Sequence, residues 1–305
     1  MKKRLLGSSL LLLTAIIWGF SFVAQVEGTE NIGTFTYTAI RFLLGAIVLV
    51  PMIFIFSRKQ SSTENIKRSV NYGIIGGILL FAAVSLQQFA IEFSPDGNSM
   101  KAGFISGLYT VLIPICYLIF MKKKTPLQTW IGAAIAAFGL YLLCGTAEGP
   151  LHFTDIILFF SIPAWTAQIL FISKVGEKSD IFVYSVLQYT VCGLVSLLCA
   201  IIFDTASLIN VSAIGDALIP IIYGGAFSVG IAYTLQIVGQ KYADPTSAAI
   251  ILSTESMFGC IGNLIFLEVN MSLPQYVGCG LIFTGIILSQ LVFKKKKLKK
   301  NAVLS

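Results

Sequence analysis

Residues 34–42, TFTYTAIRF, return almost half a chain later as residues 181–189, IFVYSVLQY, and the reading of that echo decides the fold. Tyr37 and Arg41 recur as Tyr184 and Gln188, 147 positions on, and Trp18 recurs at the same offset as Trp165. The register persists with small loop adjustments. Leu86-Gln87 returns as Leu235-Gln236, and Ala102, Ile105, Phe120, Gly132 and Gly139 return as Ala248, Ile251, Phe266, Gly278 and Gly285. The chain therefore reads as two copies of one unit, residues 1–147 and 148–293, with a basic tail at 294–305.

Composition fixes the solvent. With 56% hydrophobic residues, 11% charged residues and a mean hydropathy of +0.86, the 305 residues carry too few charges to cover a water-soluble domain. A hydrocarbon core of about 30 Å asks for about 20 apolar residues per helix. Ten such stretches lie near 5–26, 33–56, 70–92, 98–120, 126–145, 151–173, 181–203, 214–238, 246–267 and 273–293. They are continuously apolar, whereas a membrane strand is about 10 residues long and alternates in polarity. The expected fold is an all-α integral membrane protein of ten transmembrane helices, five per copy. An odd number per copy makes the second copy enter the bilayer from the opposite face, so the copies are expected to be inverted repeats.

The basic residues set an orientation. If the N-terminus is cytoplasmic, inside loops and tails hold nineteen of the 21 basic residues, among them Arg58, Lys67, Lys122, Lys123, Lys124, Lys174, Lys241 and the run Lys294–Lys300. Only Lys101 falls outside, and Arg41 lies within a span. The positive-inside rule then places both termini in the cytoplasm of a cell with this protein in its cytoplasmic membrane. The same bias accounts for the net charge of +7: the terminal run reads as a stop-transfer anchor on an anionic leaflet, and no nucleic-acid partner is inferred. Lys2-Lys3-Arg4 and the apolar run behind it imitate a signal peptide. Because that run contains Trp18, the counterpart of Trp165, it is expected to stay as the first span.

Four stretches together resemble the EamA-type permeases of the drug/metabolite transporter superfamily. They are Trp18-Gly19-Phe20-Ser21-Phe22, Arg41-Phe42, Ala102-Gly103-Phe104-Ile105-Ser106-Gly107-Leu108-Tyr109 leading to Pro114, and Ala248 to Glu255. The resemblance covers roughly residues 5–293. It implies a ten-helix inner-membrane carrier, often an exporter of amino acids or other small metabolites, with its cavity between the two halves. The family pattern commonly has proline after the ninth-span glutamate, and here Ser256 follows Glu255.

Polar residues that no loop explains are the candidate site. Arg41 and Glu255 are the two formal charges placed deep in the bilayer, where each needs a partner or a wet cavity because a central charge costs at least about 2.5–3.5 kcal/mol. Glu255 could carry a coupling proton or meet a cationic group of a substrate, and Arg41 could act as counter-charge or as a fork for a carboxylate. Alternatively the two form a static pair locking the second span to the ninth. Tyr109 occupies in the first copy the place of Glu255 in the second, so it is expected on the same cavity wall. Trp18 and Trp165 are candidates for a gate, a substrate stack or an interfacial anchor. Gln88, Gln168, Gln188, Gln236 and Asn263 are ligand candidates or interhelical glue. Gly73-xxx-Gly77 and Gly103-xxx-Gly107 offer small faces for close packing, and Pro51, Pro114, Pro163 and Pro220 offer bends.

Other chemistries find no footing. There is no G-x-x-x-x-G-K-[ST] phosphate loop, one histidine, His152, and no metal-spaced cluster, so neither cofactor nor metal is expected. Cys116, Cys144, Cys192, Cys199, Cys260 and Cys279 all lie in apolar segments and read as packing residues. Catalysis is not expected. A sensor or assembly subunit and a membrane enzyme on lipid-linked substrates stay open beside the expected class, a secondary transporter in which two related bundles rock about a midplane site. Its expected partners are the bilayer, a small-molecule substrate, and protons or a counter-substrate.

Overall fold

The computed structural model describes residues 2–57, 62–94, 99–145, 152–175, 179–266 and 271–290. The basic tail, the 147/148 boundary between the copies and the side chain of Asn263 lie outside the described residues. The first half holds α1 (Lys2–Thr29), α2 (Thr34–Met52), α3 (Thr63–Glu92), α4 (Ser99–Gly107), α5 (Tyr109–Met121) and α6 (Leu127–Leu140). The second holds α7 (Phe153–Val175), α8 (Ile181–Phe203), the short α9 (Thr205–Ile209), α10 (Val211–Asp216) and α11 (Leu218–Ile222), then α12 (Thr234–Gln240), α13 (Pro245–Leu252), α14 (Glu255–Phe266) and α15 (Leu273–Gln290). Among the described residues there is no strand.

Among the described residues, six helical runs are long and apolar enough to cross a bilayer: Lys3–Thr29, Thr34–Ile55, Thr63–Glu92, Phe153–Val175, Ile181–Phe203 and Leu218–Gln240. Ile105–Met121, Leu127–Leu143 and Leu273–Ser289 are shorter apolar helices. The surface is what a hydrocarbon solvent selects. Ile47, Phe54, Phe120, Ile202 and Phe203 point outward, while Thr14, Ser21, Gln88, Gln168, Gln188 and Gln236 are buried. With lipid as apolar as leucine, helices gain little from burying aliphatic surface against each other, and polar or small interior residues hold the bundle together.

Irregularities interrupt several of the spans. Pro51 in α2 precedes a π-helical turn, Ile53–Ser57, and Pro220 in α11 precedes a long π-helical stretch, Tyr223–Tyr233. Proline removes an amide donor and loosens the ladder around it, which accords with the wider turn that follows. Both stretches read as fourth and ninth spans are interrupted. One breaks at Leu108 between α4 and α5, the other at Ser253-Thr254 between α13 and α14. The ninth-span break forms without the family's proline.

The packing repeats the sequence echo. The first-half helix α2 packs on α8 and on the Tyr223–Tyr233 stretch, as α8 packs on α2 and α3. Tyr37 lies against Gly224 as Tyr184 lies against Gly76. At the α6–α15 contact the correspondence is reciprocal. A Cβ on Gly132 would stand 2.6 Å from the carbonyl oxygen of Gly285, and a Cβ on Gly139 2.7 Å from that of Gly278. The lower number on one helix meets the higher on the other, so these two repeat-equivalent helices run antiparallel.

Candidate functional site

The two broken spans meet at the centre. Tyr109 opens α5 and Glu255 opens α14, and the Tyr109 hydroxyl donates to Glu255 Oε1 at 3.4 Å. Equal places in the repeat are thus brought to one point. Glu255 lies in the first turn of α14, where the helix dipole favours an acidic group. Beside it the Ser256 hydroxyl donates to the Gly103 carbonyl at 2.9 Å, and a Cβ on Gly103 would come within 3.1 Å of Ser256 Oγ. The small face read from Gly103-xxx-Gly107 is what lets α4 approach.

Aromatic rings form the opposite wall. Trp18 and Trp165 lie 6.4 Å apart, and Tyr233 packs against both, 4.5 Å from Trp18 and nearly parallel to Trp165 at 6.4 Å. Each indole is anchored. Trp18 Nε1 donates to the Ser228 carbonyl at 3.3 Å and Trp165 Nε1 to Gln87 Oε1 at 2.8 Å. Ring faces are therefore held in fixed positions with their polar edges satisfied.

Arg41 lines the same chamber, but it is not paired with Glu255: no ion pair joins them among the described residues. The static lock weighed from sequence is not what forms. Its guanidinium carbon lies 5.0 Å from the Tyr37 ring and 5.3 Å from the Phe42 ring, and its Nε has no hydrogen-bond partner. The cation is thus held by aromatic faces with hydrogen-bonding capacity to spare.

Of the residues singled out from sequence, Trp18, Trp165, Tyr109, Arg41, Glu255 and Gln236 share this chamber. Gln188 and Gln88 do not line it. Gln188 accepts from the Tyr184 hydroxyl at 2.8 Å, and Gln88 Nε2 donates to the Gln25 carbonyl at 3.2 Å, which makes both of them interhelical or intrahelical struts. The chamber residues missed from sequence include Gln25, Gln87, Ser228 and Tyr233. The Leu86-Gln87 and Leu235-Gln236 echo held the signal for Gln87, the counterpart of Gln236. Each lines the chamber, as do the repeat pairs Trp18 and Trp165, Phe22 and Ile169, Val84 and Tyr233, and Tyr109 and Glu255. The chamber's open volume is about 30 Å³, room for a water or two and no more.

Comparison with known proteins now bears on this geometry. The profile of the EamA-like transporter family matches residues 5–145 and, a second time, 152–291. The chain belongs to the EamA-like transporter family. An uncharacterized transporter of Archaeoglobus fulgidus is 26% identical over 95% of this chain and 87% of its own length. The uncharacterized transporter YoaV of Bacillus subtilis is 19% identical over 97% of this chain and 100% of its own, and one from Clostridium kluyveri 23% identical over 99% and 98%. A solved crystal structure superposes with a TM-score of 0.75 at 18% identity, over 93% of this chain and 96% of that one, a likeness that establishes the fold alone. This EamA-like protein is a multi-pass membrane transporter built from two family repeats.

Proposed function

We propose that this transporter moves a small metabolite, an amino acid or related amphipathic compound, out of the cell across the cytoplasmic membrane by alternating access. In this reading the chain crosses the bilayer ten times, as two five-span halves at 1–147 and 148–293 inserted in opposite senses, with the tail at 294–305 and both termini in the cytoplasm. The antiparallel run of α6 and α15 and the loop charges support that arrangement. Broken helices whose leading ends face a midplane chamber are a recurring way to present a site without lipid-exposed backbone.

One observation carries the substrate reading: a carboxyl group, Glu255, and a guanidinium, Arg41, line one chamber with three fixed aromatic rings and do not neutralise each other. Widened beyond its present volume of about 30 Å³ during the access cycle, the chamber would offer both groups to a ligand bearing both signs of charge and an apolar body, and Glu255 would be the group to carry a coupling proton. In proteoliposomes loaded with amino-acid mixtures, Glu255→Gln and Arg41→Ala should each lower transport by about ten- to a hundredfold, the worth of one charged hydrogen bond. Transport at the normal rate with unchanged pH dependence in both variants would remove the site from consideration. A tolerance screen with amino acids and toxic analogues, in cells lacking or overproducing the protein, gives substrate and direction.

A further inference from the structure

A second, much larger cavity adjoins the chamber, lined by Thr166, Leu170 and Gln240 on the helices whose Trp165, Ile169 and Gln236 line the chamber itself. It has a volume of about 870 Å³, is open on one side, and is bordered by α3, α5, α7 and the segment 240–245 that joins α12 to α13. Its walls are apolar, from Leu79, Leu112, Leu170 and Phe171, and one side ends at Phe120, which is 76% exposed on the lipid-facing surface. The rim at the helix ends is basic. Lys123 follows α5, Lys174 lies in the last turn of α7 and Lys241 follows α12. Among the described residues lining that rim the one acid is Asp244, which caps α13, accepting from the Ser247 amide at 2.9 Å and the Ser247 hydroxyl at 2.7 Å.

The volume suits a ligand rather than a packing defect.

We propose that this cavity holds an anionic phospholipid from the adjoining leaflet, its phosphate among Lys123, Lys174 and Lys241 and an acyl chain running between α3 and α5 to the lipid-facing side at Phe120. A phospholipid is favoured over a soluble anion because the cavity pairs a basic rim at headgroup depth with an apolar wall that reaches the membrane surface. The proposal does not depend on the substrate of the central chamber. It rests only on the chain's spanning a bilayer.

The test is lipid binding by the full-length purified protein in detergent. Phosphatidylglycerol and phosphatidylcholine are titrated separately, with thermal stability and retained lipid by native mass spectrometry as readouts. Phosphatidylglycerol should stabilise the wild type and remain bound, and phosphatidylcholine should do so far less. In the Lys123→Gln/Lys174→Gln variant the affinity for phosphatidylglycerol should fall about thirtyfold, roughly fivefold per lysine, and should weaken in the wild type as salt rises. Ala167→Trp, which fills the cavity without touching its charge, should also exclude the lipid. Equal response to the two lipids, an unaltered response in the lysine variant, or the same stabilisation by sn-glycerol 3-phosphate alone would overturn the proposal. The last of these would mark a site for a free phosphate.

Discussion

The α6–α15 crossing makes a quantitative demand on four glycines. In Gly278→Ala the new methyl carbon would sit 2.6 Å from the Gly139 carbonyl oxygen and 2.8 Å from the Leu143 amide nitrogen, both backbone atoms that no rotamer change can move. Ordinary contact begins near 3.4 Å, so the helices must separate locally by about 0.8 Å, a gap that forfeits a quarter to a half of the dispersion energy of each atom pair along the seam. Overpacking of this kind costs about 1–3 kcal/mol. The measurement is the thermal midpoint of the detergent-solubilised protein, read by loss of the monodisperse peak after heating. Gly139→Ala places its methyl 2.7 Å from the Gly278 carbonyl, so it should lower the midpoint by about as much as Gly278→Ala. The double variant should fall well short of the sum, because one separation relieves both clashes. An unchanged midpoint for either single variant, or strict additivity of the pair, would refute the close antiparallel crossing.

Other residues give separate predictions. Asp204 Oδ2 accepts the amides of Phe35 at 2.8 Å and Thr36 at 3.0 Å, capping α2 from the end of α8, so Asp204→Ala should destabilise the protein by about 0.5–2 kcal/mol, measured by the same thermal assay. Trp165→Phe removes the 2.8 Å donor to Gln87 and leaves a buried acceptor unpaired, which should cost about 1–3 kcal/mol; a substrate-binding titration by calorimetry should show weakened affinity as well. Tyr109→Phe deletes the hydroxyl that meets Glu255 at 3.4 Å. It should shift the pH dependence of transport while leaving the fold intact, and an unshifted profile would separate Tyr109 from proton handling.

Much of this arrangement could be read from the chain before any coordinates. Tyr109 was expected on the cavity wall with Glu255 from their equal places in the repeat, and the two meet; Trp18 and Trp165 share the chamber although the inverted repeat mirrors their depths and pointed to opposite faces. Helix faces were harder. Gln87 and Gln88 are neighbours about 100° apart around α3, and in a span apolar on all sides no periodic stripe says which of them looks inward. Tyr233 was hidden differently, since it ends a π-helical stretch, Tyr223–Tyr233, where the usual spacing of side chains does not hold. The interruption before Glu255 had no proline to announce it. Ser253 and Thr254 instead bond their own backbone, donating to the carbonyls of Ile250 at 2.9 Å and Ile251 at 2.7 Å, a habit of short hydroxyl residues that loosens a helix. Arg41 and Glu255 both line the chamber, but depth alone could not show that Tyr37 and Phe42 would claim the guanidinium.

The glycine seam has a consequence for ancestry. Because Gly132 faces Gly285 and Gly139 faces Gly278, each half presents to its twin the very surface it receives. A surface of that kind is self-complementary, so a single repeat carrying it could have paired with a second copy of itself, helix against antiparallel helix, before any covalent joining. Fusion would then have freed the copies to diverge, letting one keep a phenol at Tyr109 where the other acquired a carboxyl at Glu255.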